Sequence, residues 1–250
     1  MVIVMAKGIL EVVVDSVESA VHAEIGGADR YELCGDLIVG GTTPSLALYE
    51  RIREKTHLPI HALLRPRFGD FLYSEEELNV LLRQVSMFHE AGTDAIVTGC
   101  LKKDGCIDMV AMEKVMEHAK GTKVCLHRAF DMCRDQEEAL EAAEKLGIDT
   151  ILTSGGFKSA SEGMEVLDRL KKKAKKVDIM AGAGVTAESI RMLKKSTCLT
   201  TFHLSGKENI QSEMVYRNPR VNMGLEGLSE YEIIRTNIEK IKEARVAVDS

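Results

Sequence analysis

Ionisable side chains interrupt several short apolar segments of this sequence. Burying such groups without partners is costly, so their presence among Val, Ile and Leu predicts a functional site. Carboxylates and imidazoles can exchange protons, and a guanidinium can stabilise developing negative charge. The predicted catalytic side chains are those of Glu11, Glu32, Arg65, His127, Arg128 and His203.

The alternation of side chains along a strand indicates which of these groups share a face. Residues two apart point the same way, so Glu32 shares a face with Cys34. If such faces line one interior, carboxylates, an arginine and histidines converge there. The alternative is a structural ion network in which Glu11 or Glu32 pairs with Arg65 or Arg128.

Small residues follow three of the late apolar segments and predict turns that could bind an anion. Backbone N–H groups and helix N-termini after the last strands of a barrel commonly hold phosphate. Tight turns after strands need glycine for conformational reasons as well, so both interpretations stay open. The predicted anion-binding residues are Ser154, Gly155, Gly182, Gly184, Ser205, Gly206 and Lys207.

The histidines and cysteines suggest two kinds of metal site. His61, His127 and His203, or two of them with a carboxylate, would suit zinc or iron. Cys34 with a second thiol would suit Cu(I). No short-range ligand spacing supports either site, and strand histidines and cysteines are more often buried core residues. The cofactor stays unknown from the residues alone.

Eight short apolar or β-branched segments recur along the chain and alternate with helical patterns. This order is typical of α/β proteins, either an open sheet or a closed barrel. An open dinucleotide-binding sheet requires G-x-G-x-x-G after the first strand, which is absent at 14–17. We therefore expect a single (β/α)8 TIM barrel over 1–250, with strands at 10–14, 30–34, 60–64, 95–99, 123–127, 150–154, 178–182 and 200–204.

Local signals indicate where the helices begin and end. Gly-x-Asp at 27–29, 92–94 and 147–149 predicts a left-handed glycine cap followed at once by a strand. Only 205–228 reads as a long irregular connection. Helix starts are predicted by capping-box spacings at Ser74 with Glu77, Asp135 with Glu138 and Ser229 with Glu232, by Thr43 before Pro44 at a first helical position, and by Thr186.

The composition excludes several classes of protein. Apolar residues make up 45% and charged residues 29%, which is ordinary for a globular domain. The net charge of -6 disfavours nucleic acid and anionic membranes as partners. No apolar stretch has the length of a membrane helix, and no signal peptide or C-x-x-C pair is present. We expect a cytoplasmic protein with a small-molecule or anionic ligand.

Motifs along nearly the whole chain resemble the CutC family. They include Glu-Leu-Cys at 32–34, and their order in the chain is that of the family. The others are Gly-Gly-Thr-Thr-Pro-Ser at 40–45, Arg-Pro-Arg-Phe-Gly-Asp-Phe at 65–71, His-Arg-Ala-Phe-Asp at 127–131, Leu-Thr-Ser-Gly at 152–155, Met-Ala-Gly-Ala-Gly-Val at 180–185, Phe-His-Leu-Ser at 202–205, Tyr-Arg-Asn at 216–218 and Met-Gly at 223–224.

The resemblance implies a cytoplasmic (β/α)8 barrel, a homodimer, and a role in copper homeostasis with Cu(I) bound through cysteines. Cys34 matches one of the proposed metal cysteines, whereas Val13 occupies the position of the other. A single thiolate is a poor Cu(I) site. The polar strand ends support an alternative, a barrel isomerase, lyase or hydrolase acting on a phosphorylated or sugar-like molecule. A scaffold with an ion network is the third hypothesis.

Overall fold

Eight parallel strands close into a barrel in chain order, with β1 paired to both β2 and β8. The computed structural model describes residues 8–218, 220–221, 223 and 227–250. This closed barrel with alternating helices confirms the predicted (β/α)8 fold, and each strand lies within a residue of its predicted bounds. The strands are β1 (Ile9–Val14), β2 (Arg30–Leu33), β3 (Ile60–Leu63), β4 (Ala95–Thr98), β5 (Lys123–Leu126), β6 (Thr150–Thr153), β7 (Asp178–Ala181) and β8 (Thr201–Leu204).

Helices follow the strands and cover the outside of the barrel. Two short 3-10 helices, Leu37–Val39 and Arg128–Met132, follow β2 and β5 at the end of the barrel where the strands finish. No described helix is long and apolar enough to cross a membrane. The α-helices are α1 (Val17–Gly26), α2 (Leu46–Lys55), α3 (Glu75–Glu90), α4 (Met109–Ala119), α5 (Gln136–Leu146), α6 (Met164–Lys173), α7 (Ala187–Ser196) and α8 (Ile238–Asp249).

The three Gly-x-Asp junctions have a structural purpose beyond the helix cap. Their glycines have positive φ, for example 93° at Gly27, where an L side chain would be strained. Each aspartate then accepts the N–H of the first or second residue of the neighbouring strand, in the pairs Asp29 with Leu10, Asp94 with Ile60 and Asp149 with Val124, at 2.8 to 2.9 Å. Each of these bonds links the start of one strand to the Gly-x-Asp junction that precedes the following strand.

Several helix starts match their predicted caps. The Ser74 side chain accepts the N–H of Glu77, whose carboxylate accepts the N–H of Ser74, so the capping box is complete. Asp135 caps α5 through the N–H groups of Glu137 and Glu138. The predictions at Ser74, Asp135 and Thr186 are therefore confirmed.

Two predicted helix starts and one connection are wrong. The first helical turn is not at Pro44, because Ser45 accepts the N–H of Leu48 and α2 begins at Leu46. Ser229 with Glu232 does not open a helix either. Glu232 instead begins strand β10 (Glu232–Thr236). This strand pairs antiparallel with β9 (Lys207–Gln211), and β9 lies inside the stretch that we expected to be irregular. The last helix begins after Asn237, whose side chain accepts the N–H of Lys240.

A small apolar cluster fills the barrel interior, separate from the larger core between strands and helices. The alternation predicted from the sequence places these residues inside, and five of the seven share a face with an ionisable group two residues away. Cysteine and methionine fill part of this cluster as ordinary packing residues. Its buried members are Val13, Cys34, Leu63, Val97, Cys125, Leu152 and Met180.

Candidate active site

A cavity of about 130 Å³ lies at the carboxyl ends of the strands, above the interior apolar cluster. This is the end at which barrel enzymes carry their active sites. Five of the six predicted catalytic residues line it, from β2, β8 and the ends of β3 and β5. The lining comprises Val13, Glu32, Leu37, Gly40, Leu63, Arg65, Phe71, His127, Arg128, Leu152 and His203.

Glu11, the sixth predicted residue, lies below this cavity and organises a buried polar cluster. Its Oε2 is 2.5 Å from Arg30 Nε, and its Oε1 is 2.8 Å from His203 Nδ1. His61 Nδ1 lies 3.1 Å from Oε2 without the geometry of a hydrogen bond. The expected pairing with Arg65 or Arg128 is wrong, because Arg30 projects inward at the start of β2.

The charges of this cluster stabilise one another. Burial alone would raise the pKa of Glu11, but Arg30 and His203 lower it well below its usual value. Burial would likewise lower the pKa of His203, which the carboxylates of Glu32 and Glu11 instead raise. The pKa of Arg30 is raised by Glu11 against the effect of burial. Glu11 and Arg30 thus form a buried ion pair that holds His203 in place.

Glu32 differs from Glu11 in lacking a charged donor. Its side chain is buried, the residue being 5% exposed, and Oε2 has no hydrogen-bond partner among the described residues. Burial raises its pKa to about 7, with His203 opposing and Glu11 adding to this shift. A carboxyl group with a pKa near neutrality can accept and release a proton under physiological conditions.

Arg65 contributes a positive charge that no described carboxylate neutralises. Its Nη1 donates to the carbonyl of Gly41 at 3.1 Å and its Nη2 to that of Gly69 at 2.5 Å, while Nε is buried without a partner. Burial lowers the pKa of Arg65, and no carboxylate opposes this. Since arginine remains charged in proteins, the cavity has a fixed cation that lacks a counter-ion.

His127 is fixed as a neutral hydrogen-bond donor. The N–H of Ala129 donates to Nδ1 at 3.2 Å, which assigns the ring proton to Nε2. Nε2 is buried and has no partner among the described residues. Burial, together with Arg65, lowers the pKa of His127 to about 3. We expected His127 to exchange protons, but with this pKa the ring is neutral at pH 7 and its Nε2–H is a donor available to a ligand.

Two residues that the sequence analysis missed hold this side of the cavity in shape. The Phe71 ring packs against His127 with 4.6 Å between centroids, and Arg65 Cζ lies 5.1 Å above the Phe71 ring. Gly99 makes room for the imidazole, since a Cβ there would lie 2.9 Å from His127 Nδ1. The only sequence signal for the role of Phe71 was its position shortly after Arg65 in the same motif.

In the turn after β6, a carboxylate of the same chain already accepts the backbone N–H groups. Asp131 accepts the N–H groups of Ser154 and Gly156 at 3.1 and 3.0 Å, and Arg128 Nε donates to it at 2.7 Å. The Gly155 N–H donates to Thr153 Oγ1 at 2.9 Å. An external anion at Ser154 and Gly155 would therefore have to displace Asp131.

The other predicted anion-binding residues do not line the cavity. Gly182 packs against Leu152 at the end of β7, and Gly184 is exposed with a φ of 66°. Lys207 is exposed in β9, and its carbonyl accepts Lys240 Nζ at 2.7 Å. Ser205 and Gly206 connect β8 to that strand. Arg65, which we grouped with the catalytic residues, is the cation at the cavity.

One group of described residues has donor atoms close enough to hold a metal ion. Atoms of Glu11, Glu32 and His203 lie within 4.8 Å of one another. Carboxylate and imidazole donors suit zinc, iron or manganese, and both Glu11 oxygens already have partners. His127 is not in this group, so the three predicted histidines do not form one site.

Cys34, the candidate metal ligand, lies in the interior apolar cluster. Its thiol is fully buried, and burial, followed by the charge of Glu32, raises its pKa well above the usual value. The thiolate is the form that binds metal. No group of three or more His, Cys, Asp or Glu donors includes Cys34 among the described residues. Val13, which replaces the second proposed cysteine, packs in the same interior cluster.

Comparison with known proteins identifies the family. The CutC family profile matches residues 8–208. A family protein CutC from Bacteroides fragilis strain YCH46 is 41% identical over 249 residues, which cover 98% of this chain and 99% of that protein. The chain belongs to the CutC family. The resemblance predicted from the motifs is thereby confirmed.

Other CutC proteins extend this similarity. The human copper homeostasis protein cutC homolog is 40% identical over 236 residues, covering 94% of this chain and 86% of that protein. A crystal structure described as a copper homeostasis protein CutC from Streptococcus agalactiae matches with a TM-score of 0.75 and 28% identity, covering 79% of this chain and 98% of that one. The homodimer and the cytoplasmic location stay predictions.

Proposed function

We propose that this chain binds a small anionic molecule in the cavity at the carboxyl ends of the strands and catalyses proton transfer on it. The observation that carries this proposal is the buried Arg65, whose charge has no carboxylate partner and whose Nε is unpaired. A bound anion would supply the missing counter-charge and hydrogen-bond acceptor. The unpaired carboxyl group of Glu32 in the same cavity supplies the acid–base group.

The scaffold hypothesis requires the ionisable groups to satisfy one another. Glu11 and Arg30 do so, and they account for the lower part of the cluster. Glu32, Arg65 and His127 each retain a buried polar atom that has no partner in the described part of the chain. Orphaned buried polar atoms destabilise a protein, and three of them around one cavity favour a ligand site over a stabilising network.

Arg65→Met is expected to weaken anion binding about tenfold or more, because one charge-assisted hydrogen bond is lost. The measurement is calorimetric titration with 2-phosphoglycolate. Arg65→Lys is the matched control, since it also loses the guanidinium bonds to the loop carbonyls but keeps the charge. We expect it to bind more tightly than the Met variant. Equal binding by the wild type and both variants would contradict the proposal.

Copper homeostasis, named for the human and streptococcal proteins, is the second candidate function. The interior cluster supplies the sulfur atoms of Cys34, Cys125 and Met180. Burial raises the pKa of both thiols well above the usual value, which keeps them protonated. We therefore propose that any role in copper homeostasis does not depend on Cu(I) held at Cys34.

Competition with a strong Cu(I) chelator measures this directly. The chelator is expected to remove copper from the purified protein as it does from a generic thiol, and Cys34→Ser is expected to change the affinity little. Val13→Cys adds a third thiol to the same cluster, beside Cys34 and Cys125, and is expected to increase copper retention. One stoichiometric copper retained by the wild type and lost in Cys34→Ser would show direct binding.

A further inference from the structure

The cavity contains three groups whose charge states are complementary. Arg65 is cationic, His127 is a neutral donor through Nε2, and Glu32 is a carboxyl group with a free oxygen. Phe71 contacts both Arg65 and His127, which places these two donors on one side. Glu32 lies instead beside Glu11 and His203. A ligand in the cavity therefore has donors on one side and a proton acceptor on another.

A neutral histidine is suited to one particular task. Its N–H can donate to a carbonyl oxygen and strengthen that bond as the oxygen gains negative charge, without first giving up a proton. The bond from Ala129 to Nδ1 fixes the tautomer, and the contact with Phe71 fixes the ring. His127 is thus preorganised to stabilise an oxyanion.

Glu32 is suited to removing a proton from carbon. Among the described residues it has no arginine or lysine hydrogen-bond partner to hold its charge, and one oxygen of this cavity-lining residue is buried without a partner. The charged groups that act on it are Glu11 of β1, Arg30 at the start of β2 and His203 of β8. His61 of β3 is its partner in the strand register, and Arg65 and His127 line the same cavity.

The size of the cavity limits the substrate. Sites for drug-sized ligands usually enclose about 300–1,000 Å³, whereas this cavity has about 130 Å³. A cavity of this volume, lined by Arg65, His127 and Glu32, suits a molecule of a few carbon atoms. The cation requires that this molecule carry a carboxylate or a phosphate.

We infer that the substrate is a short hydroxycarbonyl anion, from which Glu32 removes a carbon-bound proton while His127 donates to the carbonyl oxygen. This inference rests on the proposed ligand site and names its substrate class. The C–H bond breaks, its electron pair forms a C=C bond, and the carbonyl π pair moves to the oxygen. Glu32 then returns the proton to the same carbon, and the net reaction is exchange. Return to the neighbouring carbon requires in addition that the hydroxyl proton pass to the former carbonyl oxygen, and the net reaction is then aldehyde–ketone isomerisation.

Deuterium incorporation from D2O, followed by proton NMR, tests this step. The probes are dihydroxyacetone phosphate and hydroxypyruvate, one phosphate and one carboxylate. The wild type is expected to accelerate exchange at the hydroxymethyl carbon at least about 100-fold over buffer. Glu32→Gln and His127→Phe are each expected to lose about 100-fold or more. The exposed-surface variant Arg53→Met is the matched control and should exchange at the wild-type rate.

The pH profile of the wild type provides a measurement that needs no variant. Because the pKa of Glu32 is about 7, exchange is expected to rise with pH and reach half its maximum near pH 7. Calorimetry on the same probes separates the two proposals. If binding depends on Arg65 but exchange does not depend on Glu32, the enolisation step is overturned and the proposed ligand site is retained. Absence of binding by both probes would overturn both.

Discussion

Arg30→Met is expected to lower the free energy of unfolding by about 3–5 kcal/mol, because it strands the buried Glu11 carboxylate. Glu11 is fully buried, and the Arg30 side chain is only 15% exposed. The 2.5 Å contact is therefore shielded from water and from salt. Urea denaturation at pH 7 measures the change.

Arg53→Met is the matched control for this prediction. Arg53 also pairs with an aspartate across two elements, but the side chains of Arg53 and Asp94 are 33% and 40% exposed. Ion pairs of that kind contribute about 0–1 kcal/mol. If Arg30→Met cost no more than Arg53→Met, the buried cluster around Glu11 would not be what holds the interior together.

Glu32→Gln is expected to raise the stability of the protein at pH 8 by up to about 3 kcal/mol, the equivalent of its pKa shift. The folded pKa of about 7 lies above the usual value of 4.5, so the folded state binds the proton more tightly than the unfolded state. Wild-type stability therefore falls as the pH rises from 4.5 to about 7. The Gln variant has no carboxyl group at this position, so its stability does not fall for this reason.

The difference between the two stability curves isolates Glu32. Glu11 has a lowered pKa, so its contribution is present above its usual pKa and is lost in acid, in both proteins. The difference should grow between pH 4.5 and 7 and stay constant above that range. Functional groups are commonly held at a cost to stability. A difference that did not change with pH would mean that Glu32 is not held at such a cost.

The sequence predicts the barrel well because the fold repeats one unit eight times. Each apolar segment is short and is followed by a helix with recognisable caps, and the Gly-x-Asp junctions mark three strand starts. Apart from the start of α2, the errors fall where the repeat ends. Glu232 begins a strand although its spacing from Ser229 imitates a capping box, because pairing with β9 outweighs the local signal. Only the tertiary structure contains that partner.

The sequence predicts which residues form the candidate site, but not which of their side chains pair with one another. Alternation along the strands is enough to place Glu32, Arg65 and His127 at one end of the interior. Arg30 was missed because it stands at the first position of β2, where a charged residue looks exposed. The chemical state of His127 also escapes the sequence, since it depends on the N–H of Ala129 and on burial beside Arg65.

The turn after β6 shows a further limit of sequence patterns. In this turn the N–H groups of Ser154 and Gly156 donate to an anionic group. The anion that they hold is Asp131 of the same chain, which comes from the 3-10 helix after β5. A glycine-rich turn therefore predicts the geometry of a site without identifying its occupant.

A crystal structure with 2-phosphoglycolate is the most direct test that the cavity of Arg65, His127 and Glu32 binds an anion. We predict that one anionic group lies about 3 Å from Arg65 Nε, and that an oxygen of the ligand accepts from His127 Nε2 at a similar distance. An empty cavity at saturating ligand, or a ligand bound only at the turns near Gly184 and Lys207, would contradict this assignment.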